Sequence, residues 1–270
     1  MVDGNRSYRR QMFNESGYIL LFPNVGDEKD LLQSFPPNPY AQSKTQQFPL
    51  GTKLIQGERV WRYCKNGTGT PAIGDALQGA ASVTVGDLDI LVAAEVAIGA
   101  YDITLTSQAN AAVAKDYYKE GYLFVNEGTG LGQCYKIKSH TALVGTTVAT
   151  VTLYDPVIVL IVTTTAKVGL RKNSHDAVIT TPAPLTDAFV GVNHLALTAS
   201  YYFWAKCKGY APAVANTAIQ VGSLVCVGET SGKVDPYSAA DTNTEQVVIG
   251  RAVTPGVAST ESFIVDLGAF

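Results

Sequence analysis

The chain has 270 residues and a formal net charge of −3; 46% of its residues are hydrophobic and only 16% are charged. A chain of this length buries roughly three-quarters of the surface its unfolded form exposes, so a sizeable core forms without disulfide or metal staples. That composition excludes a wholly disordered chain, and the slight acidic excess speaks against a nucleic-acid partner, which calls for a basic domain or stripe. The charged share lies well below the usual ~25%, which suits a protein that holds much of its surface against partners.

The longest apolar run, Val157 to Val162, is far too short to span a bilayer. No apolar core follows the basic residues of the N-terminus, so no secretory signal is expected and synthesis in the cytoplasm is. The four cysteines, Cys64, Cys134, Cys207 and Cys226, form no Cys-x-x-Cys pair. They read as reduced, half-buried strand residues.

Residues 1–50 differ in texture from the rest of the chain. Pro23, Pro36, Pro37, Pro39 and Pro49 force extended geometry on the residues ahead of them. The segment reads either as a floppy tail or as an ordered arm lying across a neighbouring subunit. Tyr8, Phe13, Tyr18, Phe22, Phe35, Tyr40 and Phe48 favour the arm, because disordered tails are poor in aromatics. These side chains, with Tyr202 and Trp204 further on, are the candidate partner-binding residues.

Residues 51–270 read as a β-rich domain, with room for two subdomains and a break near 170–195. Lys53 to Cys64 predicts two strands around a turn at Gly57. Tyr101–Thr106, Gln133–Lys138 and Thr147–Leu153 alternate with period two, the mark of a half-buried strand. Val157–Thr165 is an unbroken β-branched run and predicts a strand buried on both faces. Further strands are expected at 200–207, 223–228, 246–253 and 262–267. Helical signal is thin: two or three turns over Ala109–Lys119 and one over Leu77–Ala81. Gly121–Gly130 and Gly222–Gly232 echo each other as strands entering glycine-closed hairpins. The class is all-β, a sandwich or barrel of short antiparallel strands behind an extended N-terminal arm.

Candidate chemistry is sparse. The three histidines, His140, His175 and His194, form no paired ligand motif. Ser174-His175-Asp176 holds the residue types of a hydrolase triad, but adjacent residues cannot aim three side chains at one another. Gly128-Thr-Gly-Leu-Gly132 lacks the spacing and following helix of a phosphate loop. Asp87 and Asp89 supply too few oxygens for calcium and read as solvated loop acids. Tyr201–Trp204 puts alternate rings on opposite faces, two to the core and two toward a partner. No enzymatic activity, cofactor or metal is expected.

The stretch Pro49-Leu-Gly-Thr-Lys-Leu-Ile-Gln-Gly-Glu-Arg-Val-Trp-Arg-Tyr63 resembles the opening of structural proteins found beside the major capsid protein in tailed phages. Gly121–Val125, Gly132–Lys138, Leu153–Pro156, Ala199–Ala205 and Gly250–Val253 are similar to those proteins too. The resemblance covers roughly residues 50–255 and implies a capsid decoration, or cement, protein. Such a protein is a β-rich virion component, often a homotrimer, that binds the outer surface of the major capsid protein lattice and stabilises the head. It implies no catalytic residue, no nucleic-acid partner and no membrane. A phage tail, baseplate or receptor-binding β-structural protein is the alternative. An arm that docks aromatics into pockets fits either role, and attachment at many lattice points makes weak contacts tight.

Overall fold

The computed structural model describes residues 37–80, 88–106, 112–144, 147–163, 165–182, 184–238, 246–257 and 261–268, together with the backbone of 10–13 and 18–21. Among these the chain is all-β, with antiparallel sheets and no helix. It forms two compact units. The second, 88–173 in its described part, is inserted into the first, which takes the residues before and after it.

The first unit holds a branched 12-stranded sheet that curls into a half-barrel. Its path begins with a hairpin of β1 (Arg10–Phe13) and β2 (Tyr18–Leu21), laid beside β3 (Lys53–Gln56) and β4 (Arg59–Lys65). β5 (Ala76–Gln78) branches off, pairing later with β12 (Ile179–Thr180) and β13 (Phe189–Val192). The spine is β14 (Tyr202–Val214), 13 residues long. Its first half pairs with β4 and its second half, past Gly209, with β18 (Ser262–Leu267). A register shift between Lys206 and Lys208 bends the strand between those two jobs. The path ends through β17 (Val248–Ala252), β15 (Leu224–Val227) and β16 (Val234–Pro236).

The second unit is a six-stranded, nearly closed barrel in the order β6-β11-β8-β9-β10-β7. Its strands are β6 (Ile90–Leu91), β7 (Asp102–Thr106), β8 (Tyr122–Glu127), β9 (Cys134–His140), β10 (Val148–Leu153) and β11 (Lys167–Arg171). A bridge between Val92 and Leu105 joins the two ends of that order. The period-two pattern dictates which residues go inside: Ile103 and Leu105, Leu123 and Val125, Tyr135 and Ile137, and Ala149 and Val151 all point into one core. The β8–β9 turn needs its glycines. Gly128 sits at φ +77, and a Cβ there would collide with the Thr165 carbonyl. The two echoing segments are both hairpins, β8–β9 here and β15–β16 in the first unit.

Three expectations give way. Val157–Thr165 is not a strand buried on both faces: Val157 and Ile161 are buried, but Ile158 is 68% exposed. Leu77 belongs to β5 rather than to a helical turn. The described part of Ala109–Lys119 forms turns, because Val113 bridges Leu143 and Asp116 adopts φ +63, which no helix accommodates. Phe48 and Leu50, on either side of Pro49, both lie in the interior of the first unit. The chain passes between the units near residue 81, where composition does not shift, and between Asn173 and Ser174.

Candidate interaction surfaces

The strongest feature of the first unit is a strap, residues 37–48, laid along its own domain. Pro37 and Pro39 are buried and keep the strap extended. Ser43 and Tyr202 exchange backbone hydrogen bonds, with Ser43 N–H donating to Tyr202 O at 2.9 Å and Tyr202 N–H to Ser43 O at 2.7 Å. The Gln42 side chain donates to Ala196 O at 3.1 Å and accepts from Thr198 N–H at 2.9 Å. His194 Nε2 donates to Pro39 O at 2.6 Å, and its ring meets Tyr40 edge-on at 4.9 Å. The Tyr63 hydroxyl accepts from Gln47 N–H at 3.0 Å. The strap ends with Phe48 driven between Tyr63 and Trp204, ring centroids 5.3 and 5.4 Å away.

This geometry sorts the candidate partner-binding residues. Phe48 and Trp204 are 1% and 2% exposed. They fill the interior of their own unit. Tyr202 is half-buried, stacked on Tyr63 at 5.9 Å with Lys65 Nζ 5.6 Å from its ring. Among the candidates whose side chains are described, Tyr40 is the exposed one, at 54%. Phe13 and Tyr18 lie on β1 and β2, whose backbone alone is described; Tyr8, Phe22 and Phe35 lie outside the described residues.

In the inserted unit a different surface emerges, on residues outside the set of candidate partner-binding residues. Residues 96–100 and 157–161 run antiparallel, pinned by the Val96–Ile161 bridge at one end and by Gly99 and Ala100 against Val157 at the other. Gln133, just past the β8–β9 turn, clamps Val159 from both sides, donating to its carbonyl and accepting from its amide. The Tyr135 hydroxyl accepts from the Ile158 amide at 3.0 Å. The result is a ledge that presents Ile98, Leu131, Ile158 and Val159, 67%, 68%, 68% and 45% exposed. Segments 96–100, 128–133 and 157–163 contain no charged residue. Those three charge-free stretches are the signal that was available in the sequence.

Two ionisable groups of the inserted unit, Lys136 and His140, are held by backbone groups. Lys136 Nζ stands 4.7 Å from the Tyr122 ring and donates to Glu120 O at 3.1 Å. Burial lowers the Lys136 pKa, opposed by the nearby Glu120 and Asp155 charges. Asn173 donates to the same carbonyl at 2.9 Å. His140 is buried, its Nδ1–H donating to Thr141 O at 2.6 Å while Nε2 accepts from the Tyr118 amide at 2.9 Å. It therefore serves as a neutral structural bridge.

The remaining sequence candidates are scattered. Ser174, His175 and Asp176 occupy a turn, and the His175 carbonyl accepts from the Lys65 amide. His140 belongs to the inserted unit and the other two histidines to the first. Asp89 accepts from Asn126 at 2.6 Å, and Asp87 lies outside the described residues. Among the described residues no three His, Cys, Asp or Glu side chains gather as a metal site, and no helix is long and apolar enough to cross a membrane. All four cysteines are thiols, with no disulfide between them. Compared with protein-family models, curated proteins and solved structures, the chain matches none of them.

Proposed function

We propose that this chain is a structural virion protein, a capsid decoration protein that assembles as a homotrimer and binds the outer surface of the major capsid protein lattice. The observation that carries the reading is the ledge of Ile98, Leu131, Ile158 and Val159. Large exposed side chains on segments that hydrogen-bond to one another and carry no charge mark a surface suited to being covered by protein. Interface cores are depleted of charge in the same way. The ledge is held from beneath by Gln133 and Tyr135 through backbone hydrogen bonds, so little ordering entropy is lost when a partner arrives. The resemblance of residues 50–255 to capsid-associated phage proteins names the class of partner.

The test uses phage heads assembled without this chain. Purified protein added back is expected to decorate them at regular lattice positions in electron micrographs and to raise their resistance to heat. The Ile158→Asp variant, folded as the parent, is expected to leave the heads bare. Protein that ignores heads but binds tails or baseplates would replace this reading with the tail-component alternative.

A further inference from the structure

We propose that residues 37–42 of the strap are held by an acid-operated latch, the His194 side chain, which lets them go on acidification while the rest of the first unit stays folded. The geometry of the ring carries the inference. Its Nε2 hydrogen is committed to Pro39 O. Its Nδ1 is therefore a bare acceptor, and that atom is buried without a partner among the described residues. A second proton places an N–H donor at Nδ1, where nothing accepts it. A buried donor left unsatisfied costs far more than a typical hydrogen bond returns, and more still when it is charged.

The surroundings add to the penalty. On β14, Lys206 is the charged side chain whose field acts on His194, and it repels a protonated ring. On the strap, the facing group is the Tyr40 ring. On the loop before β5, which Asn193 holds through Ala72 O, Asp75 turns its carboxylate onto its own Ala72 amide. Burial first, and Lys206 after it, lower the His194 pKa, against the opposing pull of the Pro39 carbonyl.

The direction is set by linkage. A histidine whose folded pKa lies below its free value of ~6.5 gives full stability above that pH and loses it as pH falls below. The ring then finds its solvation by leaving the seat. Its departure removes the Pro39 hydrogen bond and the Tyr40 contact together. What still holds residues 37–42 is the seating of the buried Pro37 and Pro39 rings and the exposed pair of Gln42 hydrogen bonds, and with the latch lost these give way, so the strap opens back to the Ser43–Tyr202 bridge. Phe48, in the core, stays. The latch works the same way whether or not the protein serves in a virion.

Amide hydrogen exchange on the full chain tests it, with exposure times scaled for the intrinsic pH dependence of exchange. The Ala41 amide, bonded to Asn38 O, and the Thr198 amide, bonded to Gln42, are the reporters. They are expected to lose at least tenfold of their protection between pH 7.5 and pH 5, with a midpoint below ~6.5, while the β14–β18 amides keep theirs. The His194 ring proton, followed by NMR, is expected to titrate at the same midpoint. His194→Gln is expected to abolish the pH dependence. Reporter protection independent of pH, loss shared by the whole unit, or a ring titration separate from the amide midpoint would each overturn the latch. If the Gln variant leaves the strap open at every pH, the ring titration in the parent decides alone.

Discussion

Tyr63 on β4 and Trp204 on β14 are direct cross-strand partners, their rings meeting edge-on with centroids 5.0 Å apart. Phe48 closes the triangle from the strap. Edge-to-face aromatic pairs add ~0.5–1.5 kcal/mol beyond the area they bury. An aromatic cluster shared by a strand pair and a strap makes the strap part of the fold at this point. Burial also pushes the Tyr63 hydroxyl pKa up, so the ring stays neutral throughout the working range of the protein.

Phe48→Ala is therefore expected to destabilise the first unit by about 3–5 kcal/mol, the range for emptying a buried aromatic site. Tyr40→Ala, at the exposed end of the same strap, is expected to stay within ~0.5 kcal/mol. Denaturant titration followed by tryptophan fluorescence separates the two outcomes, since Trp61 and Trp204 both report on the first unit. A chain beginning at Leu50 is expected to be as damaged as Phe48→Ala, whereas one beginning at Pro37 retains the aromatic triangle. Equal stability of the two truncations would show that the strap is not structural.

The thiols are expected to react in an order set by burial. Cys134 is exposed, Cys207 is intermediate, and Cys64 and Cys226 are buried. The thiolate is the reactive form, and burial raises the pKa of Cys64, Cys134 and Cys207. At pH 8 a thiol reagent is expected to label Cys134 first and Cys64 last in native protein. All four should react in denaturant without prior reduction. Peptide mapping after short labelling checks the order, and a denatured count near zero would show disulfides.

Acid is expected to weaken the inserted unit through His140. Its Nε2 accepts the Tyr118 amide, so protonation there destroys an acceptor and leaves two donors facing each other. Burial lowers the His140 pKa, opposed by the Thr141 carbonyl and by Asp116. A folded pKa below the free value of ~6.5 means stability that is whole above that pH and declines below it. The melting temperature of the parent is expected to fall between pH 7.5 and pH 5, and His140→Gln to flatten that slope. A slope unchanged by the substitution assigns the acid sensitivity to other groups.

Much of the fold was legible because period-two alternation is a direct consequence of a half-buried pleat. Asp102–Thr106, Val148–Leu153 and Ser262–Leu267 each show it and each form strands. The β-branched run at 157–165 misled because such a run specifies an extended backbone but not which face is covered. Here Gln133 and Tyr135 fix the backbone and leave Ile158 and Val159 outward. The alanine-rich 109–119 segment has helical propensity, and tertiary contacts override it: Tyr118 is buried beside His140. His194 was invisible as a latch, because its partner, Pro39, lies 155 residues away and no spacing rule links them. The division at 81 was hidden for a related reason, since an inserted barrel returns the chain to its host sheet without any change in composition.

The ledge yields the sharpest separation of fold from assembly. Its four side chains are already largely in water, so replacing one with a polar residue removes little buried area and is expected to change stability by less than ~0.5 kcal/mol. Assembly is another matter. Apolar anchors at the centre of an interface commonly account for ~2 kcal/mol or more each, which is more than tenfold in a dissociation constant. Light scattering at micromolar concentration is expected to give the mass of a trimer for the parent and a monomer for Ile98→Asp or Ile158→Asp, with unchanged circular dichroism. Val221→Asp serves as the control, since Val221 is 60% exposed but belongs to the first unit. It is expected to leave the assembly intact. If the parent is already a monomer in solution, the same variants are compared for occupancy on bare heads, where a charge on the ledge is still expected to abolish binding. Variants that assemble and bind like the parent would show that the ledge is ordinary exposed surface.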